Sequence, residues 1–145
     1  GYIVCCDSIM DPLFATAVAV VGATSTAAQQ AATVALQNPS FMKQFETAYD
    51  KRRHRAVEIL NSVPGVHVML PESGFLCWVD VSELGDSTEI AAYLTAEARV
   101  SVNDGKNYGQ GGAGHLRIVL GVYRDDERVF AALEAVRDAL LRYKK

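Results

Sequence analysis

Cysteine is scarce in this chain: Cys5, Cys6 and Cys77 are the only three in 145 residues. An odd count with an adjacent pair builds no disulfide framework, and no metal-ligand spacing runs between them. No metal site is expected, and a reduced, cytoplasmic setting fits. Long apolar runs are also missing. Leu13 to Ala23 is apolar, yet far short of the ~20 residues that a membrane span needs. No basic stretch precedes an apolar one at the N-terminus, so no signal peptide is expected. Positive charge is not in excess either: the net charge is −3, which gives no general attraction to nucleic acid or an anionic membrane. Repeats, low-complexity tracts and long linkers are absent.

What remains is an ordinary globular balance, 50% hydrophobic and 21% charged. The length suits one domain, or one domain with a piece of another. Gly1 heads an apolar run without an initiator methionine, so the chain is expected to begin inside a larger protein.

The pattern predicts an order of elements. Tyr2–Cys6 reads as a short buried strand, closed by Asp7 and Ser8. Ser8 or Asp11 then caps a helix, with Pro12 in its first turn. Leu13–Val21 is apolar nearly all round, so that helix is expected to be buried or to lie in an interface. A small-residue helix covers 27–36. Asn38-Pro39-Ser40 ends it and starts a long helix to about Ser62. The cluster Lys51-Arg52-Arg53-His54-Arg55 on that helix has two readings, an anion or nucleic-acid patch or a solvated face; the acidic total favours the solvated face. Strands follow at 66–70 and 75–81. A helix capped by Ser87 comes next, with Ile90, Tyr93 and Leu94 inward. Arg99–Val102 and His115–Leu120 are the last strands. A final helix from Asp125 buries Val129, Leu133, Val136, Leu140 and Leu141. From about residue 37 this is an α/β arrangement of the α+β kind. A largely antiparallel sheet of about four strands is covered by helices.

The stretch that stands out is 102–120. Five of the eleven glycines crowd into it (Gly105, Gly109, Gly111, Gly112, Gly114), and Arg117 is the only charged residue between Lys106 and Arg124. Such a loop is shaped around something, and a lone guanidinium in a strand needs an anion. A carboxylate fits its planar fork. An internal salt bridge to Asp80 or Glu72 is the alternative. A strand follows the loop, not the helix N-terminus that a phosphate cradle uses.

These residues carry a resemblance. Gly74-Phe75-Leu76-Cys77-Trp78-Val79-Asp80, Val102-Asn103-Asp104-Gly105 with Tyr108-Gly109, and Gly114-His115-Leu116-Arg117-Ile118 resemble the C-terminal domain of class I/II aminotransferases. These are fold-type-I pyridoxal-phosphate enzymes. Gly1-Tyr2-Ile3-Val4 is similar to the strand after the cofactor-lysine segment. Gln29-x-Ala31-Ala32-x-x-Ala35-Leu36 is similar to the helix leaving the large domain. The resemblance implies residues 1–36 from the end of the large domain and 37–145 as the small domain. It implies that Arg117 holds the substrate α-carboxylate, with Tyr108, Gly74 and Phe75 on the substrate side. Ser25 and Thr26 would approach the cofactor phosphate across a homodimer, or serve only as helix caps.

The implied cofactor is pyridoxal 5'-phosphate, and the implied substrates are an amino acid and a 2-oxo acid. None of Lys43, Lys51, Lys106, Lys144 and Lys145 matches the context of the Schiff-base lysine that such chemistry requires. The missing N-terminal large domain would carry it, so the isolated chain is expected to be inactive. A carbon–sulfur β-lyase of the same fold and a non-enzymatic carboxylate-binding module are the alternatives.

Overall fold

The computed structural model of the chain describes residues 3–144. They fall into two compact units that meet in sequence between Lys43 and Gln44.

The first unit holds α1 (Asp7–Val20), α2 (Thr26–Gln37) and the start of α3 (Pro39–Leu60). The expected first strand does not form. Tyr2 lies outside the described residues, and Ile3–Cys6 has no regular structure, no ladder partner and is largely exposed. A strand needs a neighbour for its backbone groups, and the described residues supply none here. The cap of α1 is also different. Cys6, not Ser8 or Asp11, precedes its first turn, and Pro12 lies inside the helix. The apolar run is not buried: no residue of α1 is, and Phe14 is 67% exposed.

The second unit carries the sheet. Its strands β1 (His67–Val68), β2 (Leu76–Asp80), β3 (Asn103–Asp104) and β4 (His115–Val119) pair antiparallel throughout, in the order β1-β2-β4-β3. Side chains alternate across a strand. Cys77 and Val79 of β2 and Leu116 and Ile118 of β4 therefore point into one core. Ala56, Ile59 and Leu60 of α3 close it, together with Ile90 and Leu94 of α4 (Ser87–Glu97) and Val129, Leu133, Val136, Ala139 and Leu140 of α5 (Asp126–Arg142).

Four expectations shift. No strand forms at Arg99–Val102, because Arg99 enters the left-handed region at φ 54° as α4 ends. The chain reaches the ladder only at Asn103. The cap of α4 is Asp86, which accepts from the N–H groups of Thr88 and Glu89; Ser87 is the first helical residue and is buried. Leu141 is exposed, since it lies about 100° round the helix from Leu140; Ala139 packs in its place.

The fourth shift is the largest. The basic cluster on α3 is a solvated face only in part: Lys51 and His54 are exposed, whereas Arg52 is 5% exposed and Arg53 is buried beside it. Arg52 reaches the segment between β4 and α5. Its Nε donates to Asp126 at 2.7 Å, its Nη1 to the carbonyls of Leu120 (2.8 Å) and Tyr123 (2.9 Å), and its Nη2 to that of Arg124 (2.9 Å). The Asp126 carboxyl is held below the usual range by hydrogen bonds from Lys51 and then Arg52.

Removing Arg52 takes the guanidinium from three carbonyls and leaves Asp126 with Lys51 alone. Arg52→Ala should lower unfolding stability by about 3–5 kcal/mol in urea denaturation. A solvated-face arginine would change it by less than about 0.5 kcal/mol, and that result would contradict the buried tie.

Candidate functional site

The site lies on the open face of the sheet. The parity that buries Cys77 and Val79 turns Leu76, Trp78 and Asp80 outward, and in β4 it turns His115, Arg117 and Val119 the same way. The register sets Trp78 beside Arg117 and Asp80 beside His115. On the far side of β4, Asn103 pairs with Arg117. A polar and aromatic row, Trp78–Arg117–Asn103, therefore crosses three strands.

The glycine loop comes up beside this row. A 3-10 turn at Gly105–Tyr108 brings Tyr108 to Arg117. Arg117 Nη1 donates to the Tyr108 hydroxyl at 3.0 Å, and its guanidinium lies 5.2 Å from the ring centroid. Tyr108 in turn meets Trp78 edge-on, with centroids 5.9 Å apart. Trp78 stacks on His115 at 5.4 Å and 18°. The three rings and Arg117 line one wide groove along the open face, with Leu76, Leu70 and Met69 beyond.

Arg117 is half-buried and has no acidic partner among the described residues. The internal salt bridge is therefore not formed. Asp80 instead accepts from the N–H of Ser82 at 2.9 Å. Hydrogen bonds from Ser82 hold its carboxyl below the usual range, with smaller help from His115 and His67. A guanidinium has five donors. Arg117 commits one of them to Tyr108, so a planar anion in the groove can take two more.

The loop is tightly built. A Cβ on Gly105 would collide with the carbonyl oxygens of Gly112 and His115, and one on Gly112 with that of Gly105. Only glycine permits the two backbones to cross this closely. Lys106 Nζ pairs with Asp86 at the start of α4. That contact draws the Asp86 carboxyl down to about 2 and raises the Lys106 ammonium.

The other expected residues sit apart from this row. Gly74, at φ 78°, accepts from Arg53 Nη1 at 3.3 Å. Phe75 lies against Tyr49, ring centroids 5.7 Å apart. Neither lines the groove. Ser25 and Thr26 belong to the first unit, where they are exposed at the start of α2, and Ser25 makes no side-chain cap bond. Trp78, His115 and Asn103 join this row, although the sequence motifs that contain them assign them no site role. Strand parity from Cys77 and Val79 places Trp78 outward, but its neighbour depends on register.

The sequence profile of the family described as "Aminotransferase class I and II" matches residues 1–136. The chain is 29% identical over 147 residues to a probable aspartate/prephenate aminotransferase of Aquifex aeolicus, covering 97% of this chain and 36% of that protein. The PLP-bound putative aminotransferase of Clostridium difficile superposes with a TM-score of 0.63 at 29% identity, over 70% of this chain and 26% of that one. Cystalysin of Treponema denticola, which contains pyridoxal 5'-phosphate, superposes with a TM-score of 0.76 over 98% of this chain and 36% of that one. At 20% identity, that likeness shows the fold alone. The chain thus spans about a third of the length of the curated relatives it matches. No helix among the described residues is long and apolar enough to cross a membrane.

The Asp86–Lys106 pair gives an acid signature. A carboxyl held at about 2 in the fold, against 3.8 as its ordinary value, contributes stability that is complete above 3.8 and is lost as pH falls toward 2. Asp86→Asn keeps a capping side chain and removes the titration. The fall in Tm between about pH 5 and about pH 2.5 should be smaller in this variant than in the parent; an equal fall would show that the pair contributes nothing.

Proposed function

This chain belongs to the class I and II aminotransferases, and from that premise we propose that it supplies the carboxylate clamp of an enzyme exchanging an amino group between an amino acid and a 2-oxo acid. The observation that carries the reading is Arg117: a half-buried fork on a groove floor, held by Tyr108 and facing no acidic side chain. Both substrates carry a carboxylate next to the reacting carbon. An arginine that grips it bidentately fixes both the position and the plane of that carbon. Tyr108 holds the guanidinium in place, and Trp78 lies beside it in the neighbouring strand.

The cofactor named for the Clostridium difficile and Treponema denticola relatives is pyridoxal 5'-phosphate, and we carry it over to the full-length protein. When bound, it supplies the electron sink for amino transfer. The groove itself does not fit that group. No lysine lines it, and Lys106 is tied to Asp86. The groove fits a carboxylate, and we place the reactive lysine and the ring partners outside this chain. In this reading residues 1–36 end the large domain, 37–145 form the small one, and Ser25 and Thr26 face the cofactor phosphate across a homodimer.

Arg117→Ala in the full-length enzyme should cost about 2–4 kcal/mol in kcat/KM, expressed mainly as a higher KM for both substrates in a coupled transamination assay. The isolated chain should show no turnover in that assay. An unchanged KM would make Arg117 a structural residue.

A further inference from the structure

The groove arginine is only as well placed as Tyr108, and Tyr108 rides on a loop that α4 holds at both ends. Asp104 closes β3 immediately before the loop. Its Oδ1 accepts from Ser87 Oγ at 2.7 Å and from the N–H of Lys106 at 3.1 Å, and its Oδ2 accepts from Thr88 Oγ1. Ser87 is fully buried, 0% exposed. Its Oγ also accepts from the N–H of Gly114 at 3.3 Å, where the loop re-enters the sheet. One buried hydroxyl thus joins the residue before the loop to the residue ending it. Asp86, the cap of α4, takes Lys106 as a third point. The crossing of Gly105 and Gly112 then leaves the loop little freedom to slide.

We propose that the Asp104–Ser87 bridge is the positioning device of the clamp, setting the loop so that the Tyr108 hydroxyl meets Arg117. Neither residue touches substrate. They act through Tyr108, so this inference rests on the carboxylate role of Arg117. Losing the bridge frees the two ends of the loop, and Arg117 then binds from a less ordered position. A carboxylate contact made in both the ground state and the transition state is lost from KM.

The test uses the full-length enzyme. Asp104→Ala removes all three acceptor contacts. It should raise KM for the amino acid at least about fivefold with kcat within about twofold, while the cofactor absorbance spectrum stays that of the parent. Asp104→Asn keeps an oxygen for Ser87 and Lys106 and should return KM to within about twofold of the parent. A merely structural role would lower the melting temperature and leave KM unchanged in enzyme still folded at the assay temperature. That result would overturn the proposal, and so would an Asp104→Asn enzyme as impaired as Asp104→Ala. If Asp104→Ala does not fold, Ser87→Ala replaces it. Folded Ser87→Ala enzyme should show the same raised KM, and a parental KM would overturn the bridge. Arg117→Ala run alongside separates the two ideas: if it leaves KM unchanged the clamp reading fails, whereas a raised KM there with an unchanged one in folded Asp104→Ala defeats only the bridge.

Discussion

A single buried guanidinium sets the frame on which the groove stands. Arg52 of α3 takes the carbonyls of Leu120, Tyr123 and Arg124 and the carboxylate of Asp126 in one fork. These atoms lie where β4 ends and α5 begins. Carbonyls turned away from water without donors are costly, and Arg52 supplies the donors where the link runs beside α3. Leu120 is three residues past Arg117. The tie that fixes the end of β4 therefore also fixes the strand position from which Arg117 projects.

From that frame the site follows by parity and register. The inward side chains of β2 and β4 make the core, so their outward neighbours make the groove. Antiparallel pairing then sets Trp78 against Arg117, and the glycine loop lays Tyr108 alongside. Two arginines end with opposite uses. Arg52 spends its donors inside the fold, whereas Arg117 commits one to Tyr108 and has no acidic partner among the described residues. The difference lies in their surroundings, since guanidinium chemistry is the same in both.

Much of this is legible in the sequence because it is local. Period-2 alternation marks β2 and β4, proline and asparagine mark the start of α3, and the acidic turn at Asp125 marks α5. The antiparallel four-stranded sheet and the isolated Arg117 can be read as well. The rest depends on contacts far apart in sequence. Lys51–Arg55 looks like a solvated face because nothing within the helix reveals Leu120 to Asp126 above it. Ser87 looks like a cap because Ser and Asp both cap well; the Asp104 carboxylate that takes its hydroxyl is 17 residues away. Ile3–Cys6 has strand composition, but composition does not supply a neighbouring strand. Trp78 can be placed on its face of β2, yet its company needs the register with β4.

Arg117 is proposed as the receptor of the substrate carboxylate. The most direct measurement is a crystal structure of the full-length protein with a 2-oxo acid bound. Two guanidinium nitrogens of Arg117 should lie about 2.7–2.9 Å from the two oxygens of the acid's carboxylate, with Tyr108 still on Nη1. A carboxylate held by other residues, with Arg117 turned to an acidic side chain of the protein, would contradict it.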